Sequence, residues 1–239
     1  MKYSNKTALI TGGSKGIGYG IAEAMLKIGF RVLITGRTES SLKAAYQTLN
    51  QITPGNVAIQ VADVRSIQDM EAAKQKTVDT FGSIDVLIAN AGVGHFASIE
   101  DMTSEQWNDV IDINLTGVFN SIKPSIEELK KSKGYFITIA SLAGTNFFAN
   151  GSAYNASKFG LVGFTQAVML DLRKYGIKTT TIMPGSVSTY FNDRTPSEDE
   201  AWKIQPEDIG KLVVDLLAMN PRALPSKIEV RPTLPPSKS

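Results

Sequence analysis

Apolar residues run in short unbroken stretches, and between these stretches they recur every three or four positions. The unbroken stretches are Thr7–Thr11, Arg31–Thr35, Val57–Val61, Ile84–Ala89, Tyr135–Ala140, Thr179–Met183 and a weaker Lys227–Val230. Apolar side chains at successive positions mark strands buried on both faces. Amphipathic stretches around 17–28, 39–51, 66–81, 104–132, 152–175 and 206–219 predict helices between them. Strand–helix alternation from end to end implies right-handed crossovers. The pattern therefore predicts an α/β fold, with one doubly wound Rossmann-like domain over 1–239 and seven parallel strands carrying helices on both faces.

Two segments break the rhythm. Residues 184–205 show no clear strand and mix charges, prolines and aromatics. Ligands of open α/β sheets bind beyond the carboxyl ends of the strands, so this connection is a candidate substrate loop. The Pro-rich tail 231–239 cannot extend a helix or a central strand. It is expected either as a disordered end or as an arm on a neighbouring subunit.

Composition narrows the chemistry. The 239 residues hold no cysteine and one histidine, His95. That excludes disulfides, thiolate nucleophiles and zinc–thiolate or multi-histidine metal sites, so no metal is expected. Lys+Arg total 25 and Asp+Glu 23, and this near balance argues against nucleic acid as a partner. No stretch approaches the roughly 18 apolar residues of a membrane helix, and residues 1–6 show no signal-peptide core. A cytoplasmic protein without a membrane partner is expected.

After the first strand comes Thr11-Gly12-Gly13-Ser14-Lys15-Gly16-Ile17-Gly18, and then a helix opens. Glycines permit the tight turn and let backbone approach a pyrophosphate, which the helix N-terminus attracts. This placement predicts dinucleotide binding through Gly12, Ser14, Lys15, Gly16, Ile17 and Gly18. A site for NAD puts a carboxylate at the tip of the second strand. Here the tip reads Thr35-Gly36-Arg37-Thr38, and Glu39 more naturally opens the next helix. A guanidinium suits a 2′-phosphate and a carboxylate repels one, so Arg37 with Lys15 predicts NADP(H). Asp63, beside Val64 at the third strand's end, offers an acceptor for the adenine amino group. Asn90-Ala91-Gly92 after the fourth would let the ribose approach closely.

Tyr154 and Lys158 lie four apart on a predicted helix and share one face. The pair alone is cheap by chance. It gains weight from Ser141, which ends the fifth strand, and from Asn114 in the preceding helical segment.

Together these residues resemble the short-chain dehydrogenase/reductase family over essentially the whole chain. The matching elements are Thr11-Gly12…Gly16-Ile17-Gly18, Asp63, Asn90-Ala91-Gly92, Asn114, Ser141, Tyr154…Lys158 and Pro184-Gly185 with Val187 and Thr189. The family's Asn-Asn-Ala-Gly is here Ala89-Asn90-Ala91-Gly92. The resemblance implies that Tyr154 protonates a carbonyl oxygen as hydride arrives from NADPH. Ser141 would polarise that carbonyl, Lys158 would bond the nicotinamide ribose, and Asn114 would hold a water linking Lys158 to solvent. Pro184, Gly185, Val187 and Thr189 would line the carboxamide. A positive charge at about 4 Å and effective dielectric about 20 supplies some 4 kcal/mol. Lys158 alone would then nearly cover the roughly three pKa units that Tyr154 needs.

His95 reads as cleft lining rather than as a base. His95, Phe96, Phe147, Phe148, Tyr190 and Phe191 fall in segments that should ring a substrate, which suits an apolar carbonyl compound. The expected activity is an NADPH-dependent carbonyl reductase or alcohol dehydrogenase acting on small ketones, aldehydes or secondary alcohols. The resemblance also implies a homodimer or homotetramer. One alternative is a 3-oxoacyl-carrier-protein reductase, although the ending Ser226–Pro232 lacks the glycine-rich finish such reductases usually have. Another is a protein that binds NADP(H) without catalysis.

Overall fold

In the computed structural model, residues 3–234 are described. The predicted apolar runs form β1 (Thr7–Ile10), β2 (Arg31–Gly36), β3 (Val57–Val61), β4 (Val86–Ala89), β5 (Tyr135–Ile139), β6 (Lys178–Pro184) and β7 (Lys227–Val230). They make one parallel sheet in the order β3-β2-β1-β4-β5-β6-β7. Chain direction along the sheet reverses between β1 and β4, the place where an open α/β sheet splays apart and leaves a crevice.

Successive residues of β1 show why the strands need unbroken apolar sequence. Ala8 and Ile10 join the core layer under α1 (Gly16–Lys27), α2 (Glu39–Ile52) and α8 (Pro206–Ala218). Leu9, between them, points into the opposite layer with Leu33, Leu87 and Phe136. Burying each such side chain stabilises the fold by about 1.5–3 kcal/mol. The second layer lies under α3 (Ile67–Phe81) and α7 (Ser152–Leu172). On the first side α1 and α8 approach backbone to backbone, because a Cβ on Gly20 would lie 2.6 Å from the Pro206 carbonyl oxygen.

Three boundaries depart from the pattern. The stretch 104–132 is helical throughout, but as α4 (Ser104–Ile111), a π-helical turn (Asp112–Thr116), α5 (Gly117–Ile122), a 3-10 turn at Pro124 and α6 (Ile126–Ser132). β4 begins two residues late, because Asp85 is occupied accepting from Thr7 N at 2.9 Å and from Lys6 Nζ at 2.7 Å. The loop 184–205 carries short 3-10 turns at Phe191–Asp193 and Glu198–Glu200, and Val187 pairs with Ile204 as a single bridge. Over its described part the tail lines the chain's own cleft through Arg231, Pro232 and Leu234. Residues 235–239 lie outside the described residues.

Candidate active site

A cleft of about 1340 Å³ opens beyond the carboxyl ends of the strands. Its first wall is the turn after β1. Gly12 and Gly16 hold φ of +63° and +58°, a backbone region that side-chain-bearing residues rarely adopt. Gly18 is needed for space, since a Cβ there would sit 2.4 Å from the Gly12 carbonyl oxygen. Beneath the turn, Asn90 Nδ2 donates to the carbonyls of Thr11 and Gly12 at 2.9 and 3.0 Å. Thr11 Oγ1 in turn accepts from the backbone N–H groups of Asn90 and Ala91. Asn90 is therefore a clamp on the glycine turn, a role beyond the close approach expected of it. Lys15 caps α1 without a side-chain bond to it, and the first turn holds no acid. The free N–H groups and the dipole there favour an anion.

At the tip of β2, Arg37 and Thr38 line the cleft with Ser14 and Lys15. Arg37 and Lys15 are both exposed. Glu39 opens α2 and pairs with Lys43 at 2.7 Å, as its place in a first helical turn suggested. At the end of β3 the Asp63 carboxylate is gripped by Arg65, with Nη2 to Oδ2 at 2.6 Å. The guanidinium holds the Asp63 carboxyl below the usual carboxylate range. Arg65 also reaches Asp109 at 3.3 Å, and Asp109 bonds His95 Nε2 at 3.0 Å. Neither Arg65 nor Asp109 was singled out from sequence, although Arg65 stands only two residues past Asp63.

The residues expected to carry the chemistry meet at the far wall. Ser141, at the end of β5, accepts from Ala143 N at 3.1 Å, and its hydroxyl engages the Tyr154 phenol. Tyr154 comes from the first turn of α7, and Lys158 follows one turn later, 4% exposed. Lys158 Nζ donates to the Ile139 carbonyl at 3.1 Å and lies 5.6 Å from the Tyr154 ring centroid. Burial lowers Lys158 to about 8. Burial also pushes the Tyr154 phenol up, against a smaller downward pull from Ser141. The expectation that Lys158 alone brings Tyr154 toward neutrality thus fails for the protein by itself: desolvation dominates, and the ammonium is turned to a carbonyl.

Every predicted site residue except Gly18 and Asn114 lines this cleft. Asn114 lies on the π-helical turn, fully buried. Its Oδ1 accepts from Val93 N at 2.8 Å, while Nδ2 donates to Val93 O and to Ser157 Oγ. Three of the four hydrogen-bonding positions of the amide are thereby taken. One lone pair of the amide is left for a further partner, and the side chain fixes the backbone at Val93.

Aromatic rings cover the Tyr154 phenyl. Phe96 meets it edge-on at 5.4 Å, Phe191 lies 5.7 Å away, and Phe148 packs on Phe96 at 6.0 Å. Phe147, also expected there, is 85% exposed at the rim. Asn155 organises this wall, because Nδ2 donates to Ala143 O and Asn146 O, both at 2.8 Å. Its place next to Tyr154 was the only sequence signal for it.

The family description "short chain dehydrogenase" matches residues 6–200. The chain belongs to the short-chain dehydrogenase family. This dehydrogenase is similar to an uncharacterized oxidoreductase of Staphylococcus saprophyticus, 31% identical with 97% of this chain and 99% of the relative covered. It is also similar to a 3-oxoacyl-[acyl-carrier-protein] reductase of Chlamydia muridarum, 34% identical over 77% of this chain and 75% of the relative. Among solved structures, an alcohol dehydrogenase from the archaeon Thermococcus sibiricus complexed with 5-hydroxy-NADP superposes with a TM-score of 0.90. The two are 26% identical, with 95% of this chain and 97% of that chain covered.

Proposed function

We propose that this dehydrogenase reduces small apolar ketones or aldehydes with NADPH, and oxidises the matching secondary alcohols in reverse. The observation that carries this is the Ser141–Tyr154 hydroxyl pair set above a buried Lys158 at an aromatic-walled cleft.

The residues fit a dinucleotide phosphate. The uncapped start of α1 and the glycine turn would hold the pyrophosphate, and Arg37 with Lys15 the 2′-phosphate. Lys158 would bond the nicotinamide ribose, with Pro184, Gly185, Val187 and Thr189 beside the carboxamide. NADP(H), when bound, supplies or accepts the hydride. The chain's own groups handle the proton. Ser141 accepts from Ala143 N and its hydroxyl faces the Tyr154 phenol, so on substrate binding it would turn its hydrogen from the phenol to the carbonyl oxygen. Tyr154, held protonated by its buried surroundings, gives its proton to that same oxygen. Asn114 acts as a positioning residue, by holding Val93 at the cleft floor.

A 3-oxoacyl-carrier substrate is the second reading, favoured by the likeness to the Chlamydia muridarum reductase. An acidic carrier needs free basic groups at the mouth. Here Glu200 takes Lys203, and Glu229 takes Arg231 at 2.8 Å. A small substrate suits that charge balance better.

One assay tests both readings: NADPH oxidation with simple ketones, diketones and acetoacetyl thioesters. Turnover of the ketones is expected, with NADPH strongly preferred over NADH. Arg37→Gln should lower kcat/KM for NADPH by about 10–100-fold, the worth of a charge-assisted contact, and leave NADH unaffected. Tight NADPH binding without oxidation of any carbonyl would instead mark a non-catalytic binder.

A homo-oligomer belongs to the same proposal. α5 exposes Phe119, and α7 exposes Phe159 and Leu170, apolar surface suited to a second copy of this chain. Light scattering should report at least twice the mass of 25.8 kDa.

A further inference from the structure

Thirteen large apolar side chains are prominently exposed among the described residues, and five of them stand around one cleft. Four are the aromatics Phe96, Phe147, Phe148 and Tyr190, all from segments already assigned to the substrate side. The fifth is Leu234, 70% exposed, and it comes from the tail. An exposed apolar residue set beside other exposed apolar residues in a cleft marks a surface that a ligand covers.

The tail is held in that place by specific contacts. Gly185 N donates to the Val230 carbonyl at 2.8 Å, which ties the end of β7 to the loop after β6. Glu229 receives Thr145 Oγ1 at 3.3 Å and Arg231 Nη2 at 2.8 Å, so the segment bearing Phe147 and Phe148 and the tail share one carboxylate. Pro232 packs against Gly185 so closely that a Cβ on the glycine would come within 3.2 Å of Pro232 Cδ. Proline also fixes its own backbone φ, which stiffens the exit from the sheet. These three ties aim the chain beyond Pro232 along the cleft and leave Leu234 at its rim.

We propose that Arg231–Leu234 form a specificity wall of the substrate cleft, with Leu234 the side chain that meets the apolar body of the substrate distal to its carbonyl. This rests on the carbonyl-reductase reading and deepens it: the favoured substrate is a ketone carrying an extended aliphatic or aryl group, not the shortest ketones. Leu234 acts on KM for that group, while the carbonyl end and the cofactor are handled elsewhere.

The test compares wild type, Leu234→Ala and Leu234→Met on a short ketone and on a long-chain or aryl ketone of similar reactivity. NADPH affinity is measured alongside by fluorescence, and the long ketone is titrated calorimetrically into the protein–NADP+ complex. Leu234→Ala should raise KM and Kd for the long ketone about 5–10-fold, the worth of the lost apolar contact. The short ketone and NADPH affinity should stay unchanged, and Leu234→Met should restore wild-type values. Equal effects on both ketones, or no effect on either, would overturn the wall. The calorimetric arm keeps the two readings separable. Wild type that turns over no carbonyl refutes the reductase reading, whereas the long ketone's affinity for wild type and Leu234→Ala still decides the wall, and no difference between them overturns it.

Discussion

Tyr154→Phe is expected to lower carbonyl reduction about a thousandfold, within the range a general acid contributes, while NADPH binds as tightly as before. The substitution removes one oxygen and keeps the ring. The edge-on contact with Phe96 and the contact with Phe191 both persist, so the aromatic wall stays in place. Ser141 loses the phenol but keeps its bond from Ala143 N. What disappears is the proton that the carbonyl oxygen needs as hydride arrives. Ser141 is no replacement, because an aliphatic hydroxyl is a far weaker acid than a phenol. The pH dependence follows from the direction of the shift. Burial holds the phenol above its ordinary value, so at neutral pH Tyr154 carries its proton and reduction is ready to proceed. Alcohol oxidation needs the deprotonated form, so the reverse rate should climb with pH and keep climbing into the alkaline range, above the ordinary phenol value. Steady-state kinetics in both directions, with fluorescence titration of NADPH, checks all three statements. Near-wild-type reduction by the phenylalanine variant would remove Tyr154 from the chemistry.

The sheet and the glycine turn could be read from the chain because local sequence carries them. Leu9 and Ile10 bury on opposite faces, so a central strand must be apolar at consecutive positions. Gly12 and Gly16 need positive φ, and Gly18 lies too close to a carbonyl for any side chain. Strand order then places every strand end, and with it Arg37, Asn90 and Ser141, at one crevice.

What escaped was set by contacts between distant segments. The partner of Asp63 is a neighbour in sequence, but Arg65 also reaches Asp109 across 44 positions, and only the fold brings α4 there. The π-helical turn at Asp112–Thr116 has no composition cue. It reflects the fit of Asn114 to the backbone of Val93, 21 positions away. The upward direction at Tyr154 is hidden from sequence for a related reason. Spacing four on a helix puts Lys158 on the right face, but it does not reveal that the ammonium turns to Ile139 or how much water burial excludes. Spacing predicts adjacency, and the sign of a pKa shift depends on solvent. The tail's place at the cleft is likewise hidden from sequence because its anchors, Thr145 and Gly185, lie 84 and about 45 residues upstream of their partners.

Lys158→Met should abolish activity yet stabilise the cofactor-free protein at neutral pH. In the fold Lys158 is almost fully buried, its one hydrogen bond goes to a neutral carbonyl, and its value falls from 10.5 to about 8. The charged form is therefore disfavoured in the folded state by about 3 kcal/mol, at 1.36 kcal/mol per unit. At pH 7 the group is nevertheless mostly charged, so the folded protein carries most of that penalty. The unfolded chain binds more protons than the folded one between pH about 8 and 10.5. Stability of the wild type consequently rises with pH across that window. Methionine has similar length and no charge, so the variant lacks both the penalty and the rise. It loses the bond to Ile139, worth about 1 kcal/mol. The net expectation is a gain of about 1–2 kcal/mol at pH 7, shrinking to nothing or reversing near pH 10.5. Urea unfolding of both proteins at pH 7 and pH 10 without cofactor measures the difference directly. A gap that does not change with pH would show that Lys158 is not the strained charge inferred here. With NADPH present the order should invert, because the ribose contact stabilises only the wild type through binding linkage. An enzyme that would be more stable without its lysine, and is active only with it, keeps that charge at a cost in stability for the sake of its substrate and cofactor.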